Sequence, residues 1–301
     1  MPRIAYRKRN FTPDVLAIIE MANTILDEYI QQGYDLTLRQ LYYQFVARGL
    51  IENRQREYDR LGTIINNGRL AGLIDWSHIT DRTRNIHMNA HWDFPSDGVK
   101  ALADQYQIDK WKDQSLRVEV WIEKDALIGV IEPVCQKQDV SCFSCRGYVS
   151  QSEMWQAAQR VLRYNKDGQE VIILHLGDHD PSGVDMSRDI QDRLSLLTWN
   201  GSIEVIRIAL SIEQVQEFDP PPNPVKFTDS RSINYANQYG DESWELDALD
   251  PATLTALIEE NVKRFRQQSK WRKSLARERK EKRGLAKAAK RWDKILSFLE
   301  P

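Results

Sequence analysis

Apolar and polar positions follow two different periods along this chain, and the change of period divides it. Up to residue 72 the period is helical. Thr12 and Pro13 form an N-cap and first-turn pair, after which Val15, Ile19, Ala22, Leu26 and Tyr29 recur on one face until Gly33. A second helix is predicted from about Thr37, with Leu38, Leu41, Tyr42, Phe45 and Val46 on one stripe, ending at Gly49. A third is predicted from about Arg56 to Gly72, with Tyr58, Leu61 and Ile65 on its inner face. Residues 73–84 mix apolar side chains with Asp81, Arg82 and Arg84 and are expected to form a β-wing. After His91 the residues Trp92, Pro95 and Gly98 read as a linker over 92–115. From residue 116 short apolar runs alternate with amphipathic stretches. This predicts strands at 116–122, 139–144, 170–176 and 203–210 and helices at 126–134, 150–162 and 183–197. Residues 219–224 are a proline-rich break, and 226–249, with Asp229, Arg231 and Trp244, show no clear period.

Helix, helix, turn, helix and wing is the order of a winged helix-turn-helix. Repeated β-α units with apolar strands imply an α/β fold with a parallel, doubly wound sheet. The expected organisation is therefore a DNA-binding domain at 1–91, a linker at 92–115, a Rossmann-like domain at 116–250 and a basic helical tail at 251–301.

Composition narrows the class. The 301 residues suffice for two packed domains. No apolar run reaches membrane-spanning length, and the basic start from Met1 to Asn10 lacks the apolar stretch of a secretory signal, so a cytoplasmic protein is expected. Three cysteines do not make a disulfide framework, which agrees with a reducing compartment. The net charge of -2 hides an asymmetry. Between Val262 and Lys294 there are 15 Lys and Arg against Glu278, Glu281 and Asp293, a local +12, while the remainder carries 27 basic and 41 acidic residues, or -14. A basic run is either a solvated helix face or a phosphate-contacting one, and composition alone leaves both open.

Candidate chemistry sits at predicted strand ends. Ligands of open parallel sheets bind at the carboxyl ends of the strands. Glu123 lies one residue past the first strand, and Asp178 and Asp180 follow the third in the run Leu176-Gly177-Asp178-His179-Asp180-Pro181-Ser182-Gly183. Positions i and i+2 of an extended segment project to one side, so the two aspartates can converge with Glu123. Three carboxylates in one crevice need a hard cation, and oxygen-only ligation suits Mg2+, with Mn2+ as substitute. The competing interpretation is a turn into a helix, capped by aspartate.

Val120-Trp121-Ile122-Glu123-Lys124, Arg146-Gly147-Tyr148 and Gly177-Asp178-His179-Asp180-Pro181, each after a predicted strand, resemble the Toprim domain of the DNA topoisomerase VI A subunit. The meiotic double-strand-break transesterase and single-subunit Mini-A relatives of mobile elements share that architecture. Upstream, Thr37-Leu38-Arg39-Gln40-Leu41-Tyr42-Tyr43 resembles the family motif that ends in its nucleophilic tyrosine. The resemblance spans residues 37–188 in the family's order, winged helix before Toprim. It implies metal binding by Glu123, Asp178 and Asp180, and DNA cleavage by transesterification with Tyr43 linked to a 5′ phosphate. Arg39 and Lys124 are implied as supporting catalytic groups. Gln40 stands where the family has an acidic residue, and Val149 where it has a proline. No ATPase module accompanies the match, so ATP-driven strand passage is expected to need a partner subunit.

The expected partner is double-stranded DNA, held by Arg60, Arg69, Arg82, Arg84, Arg146, Lys273, Arg277 and Lys280. Cutting both strands implies a two-fold homodimer, in which the tyrosine of one chain works with the metal of the other. On periodicity, Tyr42 belongs to the packed stripe. Tyr43 lies off it, one turn from Arg39, where it is either the nucleophile or an ordinary exposed tyrosine on a DNA-binding helix. A hydrolytic Toprim nuclease and a non-catalytic DNA-binding protein are the alternative functions. Cys142 and Cys145, with Cys135, read as packing residues rather than a zinc site, and His87 and His91 lack a third ligand.

Overall fold

The computed structural model describes residues 3–80, 89–225 and 229–299. Three helices come first, α1 (Pro13–Gln31), α2 (Leu38–Ala47) and α3 (Gln55–Leu70). A capping box starts α2: Gln40 N donates to Thr37 Oγ1 at 3.2 Å, and Thr37 N donates to Gln40 Oε1 at 2.9 Å. That is the local role of the residue that departs from the family motif. The three apolar stripes meet in one cluster containing Ile19, Leu26, Leu41, Phe45, Leu61 and Ile65.

The β-wing is not borne out over its described part, residues 73–80, where no strand forms and Leu36 and Ile79 make an isolated bridge. Polar bonding within the segment explains the difference. Asp75 Oδ1 accepts from Ser77 N and Oγ, and Arg69 Nη2 donates to the carbonyls of Trp76 and Ile79, which a hairpin ladder would need. Arg82, Arg84 and His87 lie outside the described residues.

The linker expectation is also corrected. Residues 92–115 contain α4 (Pro95–Gln105), because Pro95 sits in the first turn, where its missing N–H costs nothing. They also contain Trp111, fully buried, whose Nε1 donates to Gln138 O at 3.0 Å.

The second half is α/β. Strands β1 (Leu116–Ile122), β2 (Ser141–Ser144), β3 (Glu170–Leu176) and β4 (Ile203–Ala209) form one parallel sheet in the order β2-β1-β3-β4. Between them run α5 (Ile128–Gln138), α6 (Gln151–Lys166) and α7 (Pro181–Leu197). After β4 come α8 (Ile212–Phe218), a short pair β5 (Asn223–Pro224) and β6 (Glu242–Ser243) around α9 (Ser232–Tyr239), then α10 (Pro251–Arg264), α11 (Gln268–Lys290) and α12 (Trp292–Leu299).

Strand side chains alternate between two buried faces, which is why the strands read as nearly continuous apolar runs. Val118, Val120, Ile122, Ile172 and Leu174 pack with α5 and α10. Trp121, Val171 and Ile173 pack with α6 and α7. The chain leaves β1 over one face to reach β2, then returns over the other to β3 on the far side of β1. The crevice of such a sheet opens where the direction reverses, at the carboxyl ends of β1 and β3.

The helical unit docks on this sheet through the 3-10 turn Leu246–Ala248, whose Ala248 belongs to the helical core cluster. Tyr29 Oη donates to Asp250 Oδ2 at 2.5 Å, and Asn53 Nδ2 to Pro222 O at 2.9 Å. Among the described residues no helix is long and apolar enough to cross a membrane.

If 106–115 is core rather than tether, Trp111→Ala will lower the free energy of unfolding in urea by about 3–5 kcal/mol. A loss under about 1 kcal/mol would return the segment to a linker.

Candidate active site at the strand ends

Glu123 extends the β1–β3 ladder by one residue, its N–H donating to Leu176 O at 2.9 Å. Its Oε2 accepts from Asp178 N at 2.9 Å, crossing the switch point of the sheet. That approach requires Gly177, where a Cβ would lie 2.9 Å from Glu123 Oε2. Gly183 is tighter still, since a Cβ there would meet Asp178 O at 2.2 Å. Arg207 on β4 fastens the loop from below. Its Nη2 donates to the carbonyls of Gly177 (3.0 Å) and Asp178 (2.5 Å), and its Nη1 to Gly183 O at 2.7 Å.

Two residues later Asp180 serves as N-cap of α7, with Oδ1 accepting from Gly183 N at 2.6 Å and Ser182 Oγ at 2.8 Å. The turn-and-cap interpretation is therefore true of Asp180, and it does not exhaust the residue's acceptor capacity. His179 points elsewhere, into the rings of Tyr235, Tyr239 and Trp244. Its backbone exchanges hydrogen bonds with Trp244 at 2.8 and 2.9 Å. This bridge lays residues 242–247 across the loop, and Leu246 N donates to Asp178 Oδ1 at 2.8 Å.

The draped segment delivers two carboxylates that the sequence reading missed, Glu245 and Asp247. Lys124 Nζ lies 2.9 Å from Glu245 Oε2, 2.9 Å from Asp247 Oδ1 and 3.1 Å from Asp178 Oδ2. Arg39, reaching over from α2, pairs with the same Glu245 and with Asp247 Oδ2, the latter at 2.9 Å. Its Nη2 also stands 3.4 Å from the Tyr43 hydroxyl. A continuous chain of charge thus runs from Tyr43 through Arg39, Glu245 and Asp247 to Lys124 and Asp178, all within one protomer.

Burial sets the electrostatics. It pushes the Asp178 carboxyl up to about 7 against the pull of Lys124, and it raises Glu123, with Asp180 adding repulsion. Burial opposes the charge on Lys124, yet Asp247, Asp178 and Glu245 together hold its pKa above the usual lysine value. Burial also raises the Tyr43 phenol, and the charges of Asp247 and Glu245 raise it further. Tyr43 is only 3% exposed, so the expectation of an accessible hydroxyl is corrected. The face of α2 that lies off the intra-bundle stripe is covered by the turn at 246–248. Tyr42 packs as expected, its hydroxyl donating to Asn53 Oδ1 at 3.0 Å.

The three carboxylates do converge, but not as a free triad, and among the described residues no group of three or more His, Cys, Asp or Glu side chains is arranged to hold a metal. Asp178 is occupied by Lys124 and Leu246 N. Glu123 Oε1 and Asp180 Oδ2 remain as the oxygens with no hydrogen-bond partner among the described residues. Mg2+ is commonly held by one or two carboxylates plus water and substrate phosphate, and these two are the carboxylates that could contribute free oxygens here. A cleft of about 740 Å³ lies alongside, lined by Asp180, Ser182, Arg39 and Glu245. A smaller one of about 280 Å³ shares Arg39 and Glu245 with it and is lined by Tyr43.

The candidate DNA contacts divide. Arg69 is structural, spent on Trp76 and Ile79 carbonyls and stacked 4.4 Å over the Trp76 ring. Arg60 is half exposed and pairs with Glu57, and Arg146 is exposed beside Asp125. On α11, Trp271, Leu275 and Glu278 face inward, with Glu278 Oε2 2.7 Å from Lys110 Nζ. Glu281 accepts from Tyr106 Oη and Arg277 Nε. Both acidic residues of α11 are thereby engaged, and Arg272, Lys273, Arg277, Arg279, Lys280 and Arg283 remain exposed. Comparison of the chain with protein-family models, curated proteins and solved structures gave no match.

Burial pushes Glu245 up, but Lys124 and Arg39 outweigh it and hold its carboxyl down to about 2. The unfolded value is about 4.3. A depressed carboxylate stabilises the fold above its unfolded pKa and loses that contribution as pH falls toward the folded one. The stability gap between the unaltered protein and Glu245→Gln, read by urea unfolding, will be constant above about pH 5 and shrink between about pH 4 and 2. An unchanged gap at acid pH contradicts the ion-pair assignment.

Proposed function

We propose that this chain is a DNA strand transesterase with a three-helix unit ahead of a Toprim-like domain, similar to the topoisomerase VI A subunit, with Tyr43 as nucleophile. The observation that carries the proposal is the chain of ion pairs that ties the helix of Tyr43 to the strand-end carboxylates. Tyr43 lines the smaller of two adjoining clefts and Asp180 the larger, Arg39 and Glu245 line both, and the larger has room for a phosphodiester and its flanking sugars.

In this account Arg39 receives the scissile phosphate, since a guanidinium matches its oxygens in bidentate fashion. Glu123 and Asp180 would hold Mg2+ or Mn2+, which would neutralise phosphate charge. Asp178 instead holds Lys124 and the segment at 242–247, a different role from that implied by the family resemblance. The Tyr43 oxygen bonds to phosphorus, giving a 5′-phosphotyrosyl link and a 3′ hydroxyl. One phosphodiester is exchanged for another, so the break can be resealed. The outer face of α11 supplies sequence-independent contacts to the backbone of double-stranded DNA. A homodimer would present one such site to each strand.

One observation favours the second reading, a hydrolytic nuclease that uses the same carboxylates with water. Tyr43 is buried and its pKa is raised, so in the DNA-free state its hydroxyl is a poor nucleophile. End-labelled duplex incubated with Mg2+ or Mn2+, then denatured, separates the two. Tyr43→Phe is expected to abolish the covalent adduct and all cutting while leaving DNA affinity within about twofold. Cutting at the unaltered rate by Tyr43→Phe establishes hydrolysis instead.

The tail has its own test. Because α11 buries Trp271 and Glu278, truncation would damage the fold, whereas Lys273→Gln with Lys280→Gln and Arg283→Gln removes only outer-face charge. This triple variant should bind duplex more weakly and flatten the plot of log affinity against log salt by about two to three. An unaltered slope assigns the face to solvent.

A further inference from the structure

Glu245 has no part in the transesterase scheme given above, yet it occupies the centre of the site. It lines both clefts, pairs with Arg39 and Lys124, and shares with Tyr43 both the smaller cleft and the Arg39 Nη2 group that faces the phenol. Its side chain is 24% exposed, against 2% for neighbouring Asp247, which is closed in by the same two cations. A phenol needs a base to attack at neutral pH. We propose that Glu245 is the catalytic proton acceptor for Tyr43, set free for that task when DNA phosphate draws Arg39 away from it. The assignment rests on the transesterase reading and adds to it the group that starts the reaction.

The groups facing Glu245 are Arg39 and Tyr43 from α2, Lys124 after β1 and Asp247 on its own segment. Without DNA the two cations saturate the carboxylate, and a carboxylate so paired is a weak base. Tyr43 stays protonated under its cover. The site is therefore idle until a phosphodiester enters. Arg39 lines the larger cleft, so an entering phosphate competes with Glu245 for the guanidinium, and the loss of that partner raises the basicity of Glu245. The Tyr43 O–H proton then passes to the Glu245 carboxylate while the phenolic oxygen forms its bond to phosphorus. The bond from phosphorus to the 3′ oxygen breaks, and that oxygen takes a proton from water. Resealing reverses the steps: the 3′ hydroxyl releases its proton to solvent as it attacks phosphorus, the bond from phosphorus to Tyr43 breaks, and protonated Glu245 returns its proton to the departing phenolate. Dormancy without DNA and reversibility with it come from the same pairings.

Single-turnover adduct formation tests the assignment, with a DNA-binding titration as the check on folding. Glu245→Gln is expected to slow the adduct by about 100-fold or more at neutral pH with DNA affinity retained. The defect should persist on a substrate with a 3′-bridging sulfur, whose leaving group needs no proton, because the missing step lies at the nucleophile. Formate added to Glu245→Gly should restore at least about tenfold, and should restore nothing to Tyr43→Phe. A merely structural carboxylate would not respond to formate. Adduct formation by Glu245→Gln at the unaltered rate, or a slow variant with no formate response, overturns the assignment and leaves Tyr43 as nucleophile. If the unaltered protein forms no adduct on either substrate, the transesterase reading fails and takes this assignment with it.

Discussion

Burying one lysine constrains most of this site. Lys124 stands at the end of β1 with only 21% of its side chain exposed, and a cation so placed needs partners on every side. Asp178 comes from the end of β3, and Glu245 and Asp247 from a segment some seventy residues further on. The requirement to neutralise Lys124 thus joins three stretches of chain, and the surplus negative charge they bring draws in Arg39. Removing one member of such a cluster leaves an uncompensated buried charge, which is far more costly than losing a surface pair. The docking of the helical unit on the sheet and the make-up of the site are in this sense one electrostatic solution.

The regular elements were legible because their periods are set by burial on one face or two. Helices α1 to α3 and the strands of the sheet lie close to where apolar spacing places them, and the parallel order follows from apolar strands separated by helices. The convergence of Glu123, Asp178 and Asp180 at one end of the sheet was legible for the same reason. Periodicity sees one stripe of a helix at a time, however. Tyr43 lies off the stripe that α2 shows to its own bundle and is buried by a second surface, the turn at 246–248, which no local pattern announces. Arg69 looked like a surface cation because its partners are backbone carbonyls, and these leave no trace in side-chain pattern.

Glu245 and Asp247 escaped because residues 226–249 have no long period in sequence, and the two are placed by long-range contacts, among them the bridge between His179 and Trp244 and the bond from Leu246 N to Asp178 Oδ1. A short signal was present. Trp244 and Leu246 alternate with Glu245 and Asp247, as in a strand with an apolar and an acidic side. Four residues in an otherwise aperiodic stretch are too few to weigh, yet they provide two of the three carboxylates of the ion cluster. The departures from the family motif also find local explanations. Gln40 closes a capping box, and Val149 is buried with its carbonyl accepting from Arg193 Nη1 at 2.7 Å.

The expected two-fold arrangement, in which the tyrosine of one chain works with the metal of the other, is the alternative to a site completed within one protomer, where Arg39 and Lys124 share Glu245 and Asp247. Mixing two inactive proteins tests this central claim directly. Tyr43→Phe and Asp180→Asn chains are combined in equal amounts under conditions that exchange subunits, and covalent adduct is measured. Sites built within one chain predict no more adduct than either variant forms alone. Recovery of roughly a quarter of the unaltered activity, the share of restored sites if tyrosine and carboxylates act across the dimer, would contradict the account.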